Sequence, residues 1–110
     1  MPKFITIGYG DQAGYDCTAK TARDAAHAHD EVLQQSGALM GIAGRPVQVR
    51  NHEAKEILTQ DGPYMTSQLP IAGFAVIEAA TLAEAIKMVS LAPCAVAYGV
   101  VEVWPLVQPQ

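Results

Sequence analysis

The side chains best suited to moving a proton near neutral pH in this sequence are its three histidines, because an imidazole gains and loses a proton in that range. His27 and His29 share one predicted helix, and His52 lies at a predicted hairpin tip. His27-x-His29 is not a metal pair, since residues two apart on a helix do not face each other. The HExxH-type spacing of a helical zinc site is absent as well. His29 falls on or beside the apolar stripe of its helix, which leaves two readings. It is either a packed histidine satisfied by backbone or water, or a pocket-lining base or ligand-binding imidazole. His27 points to the flank of the same helix.

A second set of candidates surrounds Asp61-Gly62-Pro63-Tyr64. Asp-Gly is a strong chain-reversal signal, because glycine reaches positive φ without a Cβ clash. The Asp61 carboxylate either accepts backbone N–H groups within the turn or faces a pocket with the Tyr64 hydroxyl beside it. Arg45 follows a glycine at a strand end, where a guanidinium can clamp a carboxylate or simply remain solvated. Gly8, Gly10 and Gly14 do not have the spacing of a phosphate-binding loop, and no Gly-Lys-Ser/Thr follows them.

These residues need a frame to hold them. Residues 3–9 read as a first strand, and a helix capped at Thr18 or Thr21 runs to about Ser36 with Gly37 at its C′ position. Ala22, Ala25, Ala26, His29, Val32 and Leu33 form its stripe. Leu39 to Ala43 is a short strand, and residues 47–50 and 54–59 form a hairpin around Asn51-His52-Glu53. A strand from Gly73 to about Ala79 follows, then a second helix capped by the Thr81-x-x-Glu84 box. Tyr98 to Val103 is the last strand. Strand, helix, strand, hairpin, strand, helix, strand is the ferredoxin-like βαββαβ order of an α+β domain with an inserted hairpin. One domain over residues 1–106 and a short tail at 107–110 account for the chain.

Composition narrows the class. The chain has 110 residues, half of them apolar, which is enough for a single globular core. A net charge of −4 without a basic patch argues against nucleic acid. Cys17 and Cys94 are far apart and match no metal-ligand spacing, as expected of free thiols in a reducing cytoplasm. Neither a signal peptide nor an apolar run of membrane-spanning length is visible.

The strand beginning at Gly73 is apolar on both sides: Phe74, Val76 and Glu78 alternate with Ala75, Ile77 and Ala79. In the last strand Tyr98, Val100, Glu102 and Trp104 share a side opposite Val101 and Val103. If Phe74, Val76 and Glu78 share a face with that set, one sheet side carries large apolar groups and two carboxylates while the helices cover the other. Such a patch exceeds what soluble monomers usually expose. The expectation is a two-fold homodimer closed sheet against sheet over a cavity, with Glu78 and Glu102 hydrated, paired or protonated there.

Tyr9-Gly10-Asp11, Asp61-Gly62-Pro63-Tyr64, Gly73-Phe74-x-x-Ile77-Glu78 and Tyr98-Gly99-x-Val101-Glu102-Val103-x-Pro105-Leu106 together resemble the YCII-related family in its DGPF-type branch. The resemblance spans residues 3–106 and implies a dimeric ferredoxin-like α+β barrel. A related member acts as a cofactor-independent dehydrochlorinase in chlorinated-aromatic breakdown, and a first-helix His paired with an Asp is the proposed centre in some members. By position that His falls near Ala26, the Asp has no counterpart in Ser90-Leu91-Ala92-Pro93, Trp104 stands where the family has Arg, and Tyr64 where it has Phe. An acid–base role therefore passes to His29 or His27.

Two functions follow. One is a cofactor-independent lyase or isomerase, with His29 or His27 taking a proton from a small aromatic or lactone-like substrate and Asp61 or Tyr64 assisting. Arg45, Phe74, Glu78, Glu102 and Trp104 join Tyr64 as candidate binding groups, and neither metal nor cofactor is implied. The other is a non-catalytic dimeric ligand-binding or accessory domain.

Overall fold

A computed structural model describes residues 1–108. Of the tail expected at 107–110, the last two positions lie outside the described residues. The elements are β1 (Lys3–Tyr9), α1 (Gln12–Cys17), α2 (Lys20–Gln35), β2 (Leu39–Ile42), β3 (Val47–Arg50), β4 (Leu58–Asp61), β5 (Ile71–Glu78), α3 (Leu82–Val89), α4 (Pro93–Val96) and β6 (Val100–Pro105). The main sheet has the order β2-β5-β1-β6 and is antiparallel throughout. With α2 joining β1 to β2 and α3 joining β5 to β6, this is the ferredoxin-like α+β arrangement. β3 and β4 form a separate two-stranded ribbon inserted between β2 and β5.

The register settles which side chains share a face, because residues directly opposite in an antiparallel pair point the same way. Phe4 pairs with Ile77 and Thr6 with Ala75, while Thr6 also pairs with Val103 and Gly8 with Val101. This side meets the helices. Phe4, Ile77, Ala79, Ala85 and Val89 form its core, with Ile77 only 1% exposed. Ala26 and Leu33 of α2 are buried as well. On the opposite side Ile7 pairs with Phe74 and Glu102, and Ile5 with Val76 and Trp104. The two sets expected to share a face do so, except that Tyr98 precedes β6 in a left-handed conformation (φ 62°). Phe74 and Trp104 remain 48% and 55% exposed.

Local chemistry explains the boundaries. Thr81 Oγ1 accepts the Glu84 N–H while the Glu84 carboxylate accepts the Ala80 N–H, so the expected box starts α3. Gly37, at φ 110°, closes α2 where a residue with a Cβ would be strained. The N-terminus of α2 differs from expectation: its cap is Ala19 without a side-chain bond, and Thr18 instead donates to the Gly14 carbonyl. That bond belongs to α1, which the glycines disguised as a loop. Asp11 caps α1 by accepting the Gly14 N–H. A Cβ on Gly14 would lie 2.4 Å from the Ala97 carbonyl oxygen, so glycine there permits close packing of α1 on the end of α4.

The ribbon is also shifted from expectation. A short turn at His52–Ala54, with Glu53 and Ala54 both at positive φ, delays the return strand to Leu58–Asp61. The ribbon's principal contacts are between its own two strands. The radius of gyration is 16.0 Å, against about 13 Å for a compact domain of this length. The ribbon and its connections thus form an arm rooted where β2 ends and β5 begins.

Candidate functional site

Between α2 and the helix-facing side of the sheet lies a cavity of about 370 Å³. Its floor comes from Thr6 and Gly8 of β1, Gly73, Ala75 and Ile77 of β5, and Val101 of β6. Its walls come from His27, Asp30, Leu33 and Gln34 of α2, Met40 and Ile42 of β2, and Pro93 and Cys94 of α4. His27, Gln34 and Ile42 are exposed as well as lining it, so the cavity opens to solvent between α2 and β2. Two residues three apart on a helix are neighbours, which is why His27 and Asp30 reach one hollow.

Each polar group has a distinct setting. The Tyr15 hydroxyl lies 3.3 Å from His27 Nε2, so α1 positions the imidazole. The Arg23 guanidinium stacks over the Tyr15 ring at 4.7 Å. Burial pushes the Asp30 carboxyl up from its ordinary range, against the opposing pull of the His29 and His27 imidazoles. Burial also pushes the Cys94 thiol up, and the Asp30 charge adds to this. Cys94 is therefore held as the thiol, not as a nucleophilic thiolate. It sits over Gly8, where a Cβ would be 2.9 Å from its sulfur.

The Asp30 setting has a testable consequence for stability. A carboxyl whose folded pKa exceeds its unfolded value stabilises the fold only when protonated, and that contribution is lost as pH rises through the folded value. At neutral pH the ionised form thus carries a small penalty. Asp30→Asn is expected to raise stability at about pH 7 by less than about 1 kcal/mol, because solvent still screens the carboxylate. The gain should vanish below about pH 3.9, the unfolded carboxylate value. Thermal melts of both proteins across that range check it; destabilisation at neutral pH would contradict it.

The other sequence candidates lie elsewhere. His29 Nε2 is hydrogen-bonded to the Met88 carbonyl, tying α2 to the end of α3. Asp61 is exposed at the end of β4, opposite Val47, and Gly62 next to it has φ 100°. Tyr64 is 79% exposed, with the Arg50 guanidinium 5.8 Å from its ring centre. Arg45 is exposed in the connection from β2 to the arm. Glu78 and Glu102 lie on the open sheet face with Trp104. Glu78 is 3.6 Å from Lys3 Nζ, and Glu102 accepts a 2.5 Å hydrogen bond from the Tyr9 hydroxyl. That bond, with smaller contributions from burial and the Glu102 charge, pushes the Tyr9 hydroxyl up. Phe74 is on the open face and also borders the cavity at the β2–β5 edge.

The structure therefore gathers His27 with Asp30, Gln34, Thr6 and Cys94, not with Asp61, Tyr64 or Arg45. Asp30 was detectable from its i+3 spacing to His27. Cys94 and Tyr15 depend on two short helices that sequence pattern did not reveal. Among the described residues, no group of three or more His, Cys, Asp or Glu side chains is arranged to hold a metal ion. No helix among them is long and apolar enough to cross a membrane.

The pattern of the YCII-related domain matches residues 3–109, nearly the whole chain. The chain belongs to the YCII-related domain family. A comparison with curated protein sequences gives no match. In this YCII-related domain the cavity under α2 and the open sheet face are separate surfaces on opposite sides of one sheet. The titratable side chains of the cavity, His27, Asp30 and Cys94, all come from helices, whereas Glu78, Glu102 and Trp104 lie on the other side of the sheet.

Proposed function

We propose that this YCII-related protein is a homodimeric, cofactor-independent enzyme of the DGPF-type branch. It takes a small aromatic or lactone-like molecule into the cavity under α2 and moves a proton on it through His27. The observation that carries this reading is a hollow with largely apolar walls, into which α2 directs one imidazole and, one turn on, one carboxylate. His27 would take a proton from carbon. The electrons of that C–H bond would then form a double bond, either expelling a leaving group or accepting the proton back at another carbon. A cytoplasmic location fits the two free thiols.

Dimerisation is proposed through the open sheet face, whose exposed Phe74, Val100 and Trp104 would otherwise stay in water. Glu78 and Glu102 would enter that interface already partnered by Lys3 and Tyr9. Asp61, Tyr64 and Arg45, near or on the arm, would assist in a cavity only from a partner copy, and their role is proposed in that form. His29 is proposed as a second, more remote imidazole.

A probe with an acidic C–H tests the proton-transfer step. Wild-type protein is expected to accelerate deuterium exchange at C5 of furan-2(5H)-one in heavy water, followed by proton NMR. His27→Gln should reduce the acceleration about 100-fold or more while leaving binding within about threefold. Exchange unaffected by His27→Gln would end the catalytic reading. A non-catalytic ligand-binding domain is the second reading, favoured by one observation: Tyr15 already engages His27 Nε2. It expects binding without exchange in either protein.

A further inference from the structure

We infer that the ligand of the α2 cavity carries an ammonium or similar cationic head on a small apolar body, and that Asp30 is its counter-ion. The inference rests on the reading of this cavity as the ligand site. No Lys or Arg side chain lines the cavity, so its one permanent charge is the Asp30 carboxylate. The ion pairs among the described residues are Lys3–Glu78, Lys20–Asp24 and Lys55–Glu53, and none includes Asp30.

The cations nearest in sequence are committed elsewhere. Lys20 holds Asp24 at 2.7 Å, Arg23 stacks on Tyr15, and the His29 ring is turned to the Met88 carbonyl. Besides the His27 imidazole, the other polar side chains lining the hollow carry no charge: the Thr6 hydroxyl, the Gln34 amide and the Cys94 thiol. A carboxylate in a partly dry cavity without a counter-charge is unfavourable, and an entering ammonium supplies both charge and strong hydrogen bonds. Burial pushes the Asp30 carboxyl up more than the His29 and His27 imidazoles pull it down, so the charge they offer compensates it only in part. An anion would meet like charge with no fixed cation to offset it.

The helical spacing then orders the ligand. With its head on Asp30, its body lies against Leu33, Ala75 and Ile77, and the part about 5–6 Å from the head faces His27. Anchoring and reaction thereby fall to different residues of one helix.

Three probes of one shape separate the possibilities: benzylamine, benzyl alcohol and benzoate. Their dissociation constants for the full chain would be measured by backbone-amide NMR titration at about pH 8, where an ordinary imidazole is neutral. Benzylamine is expected to bind at least about tenfold tighter than benzyl alcohol, and benzoate weakest. Asp30→Asn, verified as folded by thermal melt, should abolish the preference for the amine and leave benzyl alcohol within about threefold. Benzoate binding as tightly as benzylamine, or an amine preference that survives Asp30→Asn, would overturn the inference alone. No binding by any of the three would overturn it together with the reading of the cavity as a ligand site.

Discussion

Gly99→Ala is expected to cost about 3 kcal/mol or more, enough to lower the melting temperature by roughly 12 °C. A Cβ at this position would lie 2.1 Å from the Tyr9 carbonyl oxygen and 2.6 Å from that of Cys94. Both obstacles are backbone, so no flexible side chain can yield. The Gly99 N–H also donates to the Cys94 carbonyl at 2.9 Å, fastening the end of α4 to the chain as it enters β6. The expected loss is therefore of packing between α4 and β1, the same packing that places Cys94 over Gly8. Thermal unfolding followed by far-ultraviolet circular dichroism checks it. A melting temperature within about 3 °C of wild type would mean that α4 does not pack on β1 this closely.

The second large effect concerns assembly. Trp104→Glu is expected to leave a folded monomer at micromolar concentration, where the wild type is expected to form the proposed dimer. Trp104 stands on the edge strand β6 of the open face, opposite Ile5 of the central β1, which in turn pairs with Val76. Burying a large apolar side chain contributes about 1.5–3 kcal/mol, and a two-fold interface feels each substitution twice. Adding a charge to a dry interface increases the loss, so the dimer should weaken by at least about 100-fold. Light scattering coupled to size exclusion reads this directly. A monomeric wild type would end the proposed dimer, whatever the variant does.

Two-residue alternation exposed the architecture in the sequence. Alternation alone separates Phe74, Val76 and Glu78 from Ala75 and Ile77, and the register places them as that alternation requires. The box at Thr81 and Glu84 and the glycine at Gly37 were equally readable, because each is a local arrangement of side chain and backbone. What escaped is non-local. Gly14 looks like a helix breaker, and only the approach of Ala97 shows why glycine belongs inside α1. The four residues of α4 are too few to show a period, so Cys94 gave no sign that it would face the same hollow as Asp30. Tyr98 marks the start of a strand by type, yet its left-handed backbone postpones β6 to Val100.

The histidines show the same division between local pattern and distant contact. Helical spacing put His29 on the buried side, which left it equally suited to packing or to a pocket. Its partner proves to be the Met88 carbonyl, contributed by an element far along the chain. His27, on the flank, lines the cavity together with Met40 and Ile42 of the edge strand β2. Asp61 and Tyr64 drew notice through turn chemistry, and that chemistry shapes the root of the arm.

Methionine methyl groups offer the most direct test that the cavity under α2 is the working site. The four methionines are Met1, Met40, Met65 and Met88, and of these Met40 alone lines the cavity. Protein labelled with carbon-13 at the methionine methyls would be titrated with benzyl alcohol and followed by NMR. The expected result is a saturable shift of the Met40 signal with those of Met1 and Met65 unmoved. Saturable movement of Met65 on the exposed arm with Met40 unchanged, or no shift at all, would contradict the account.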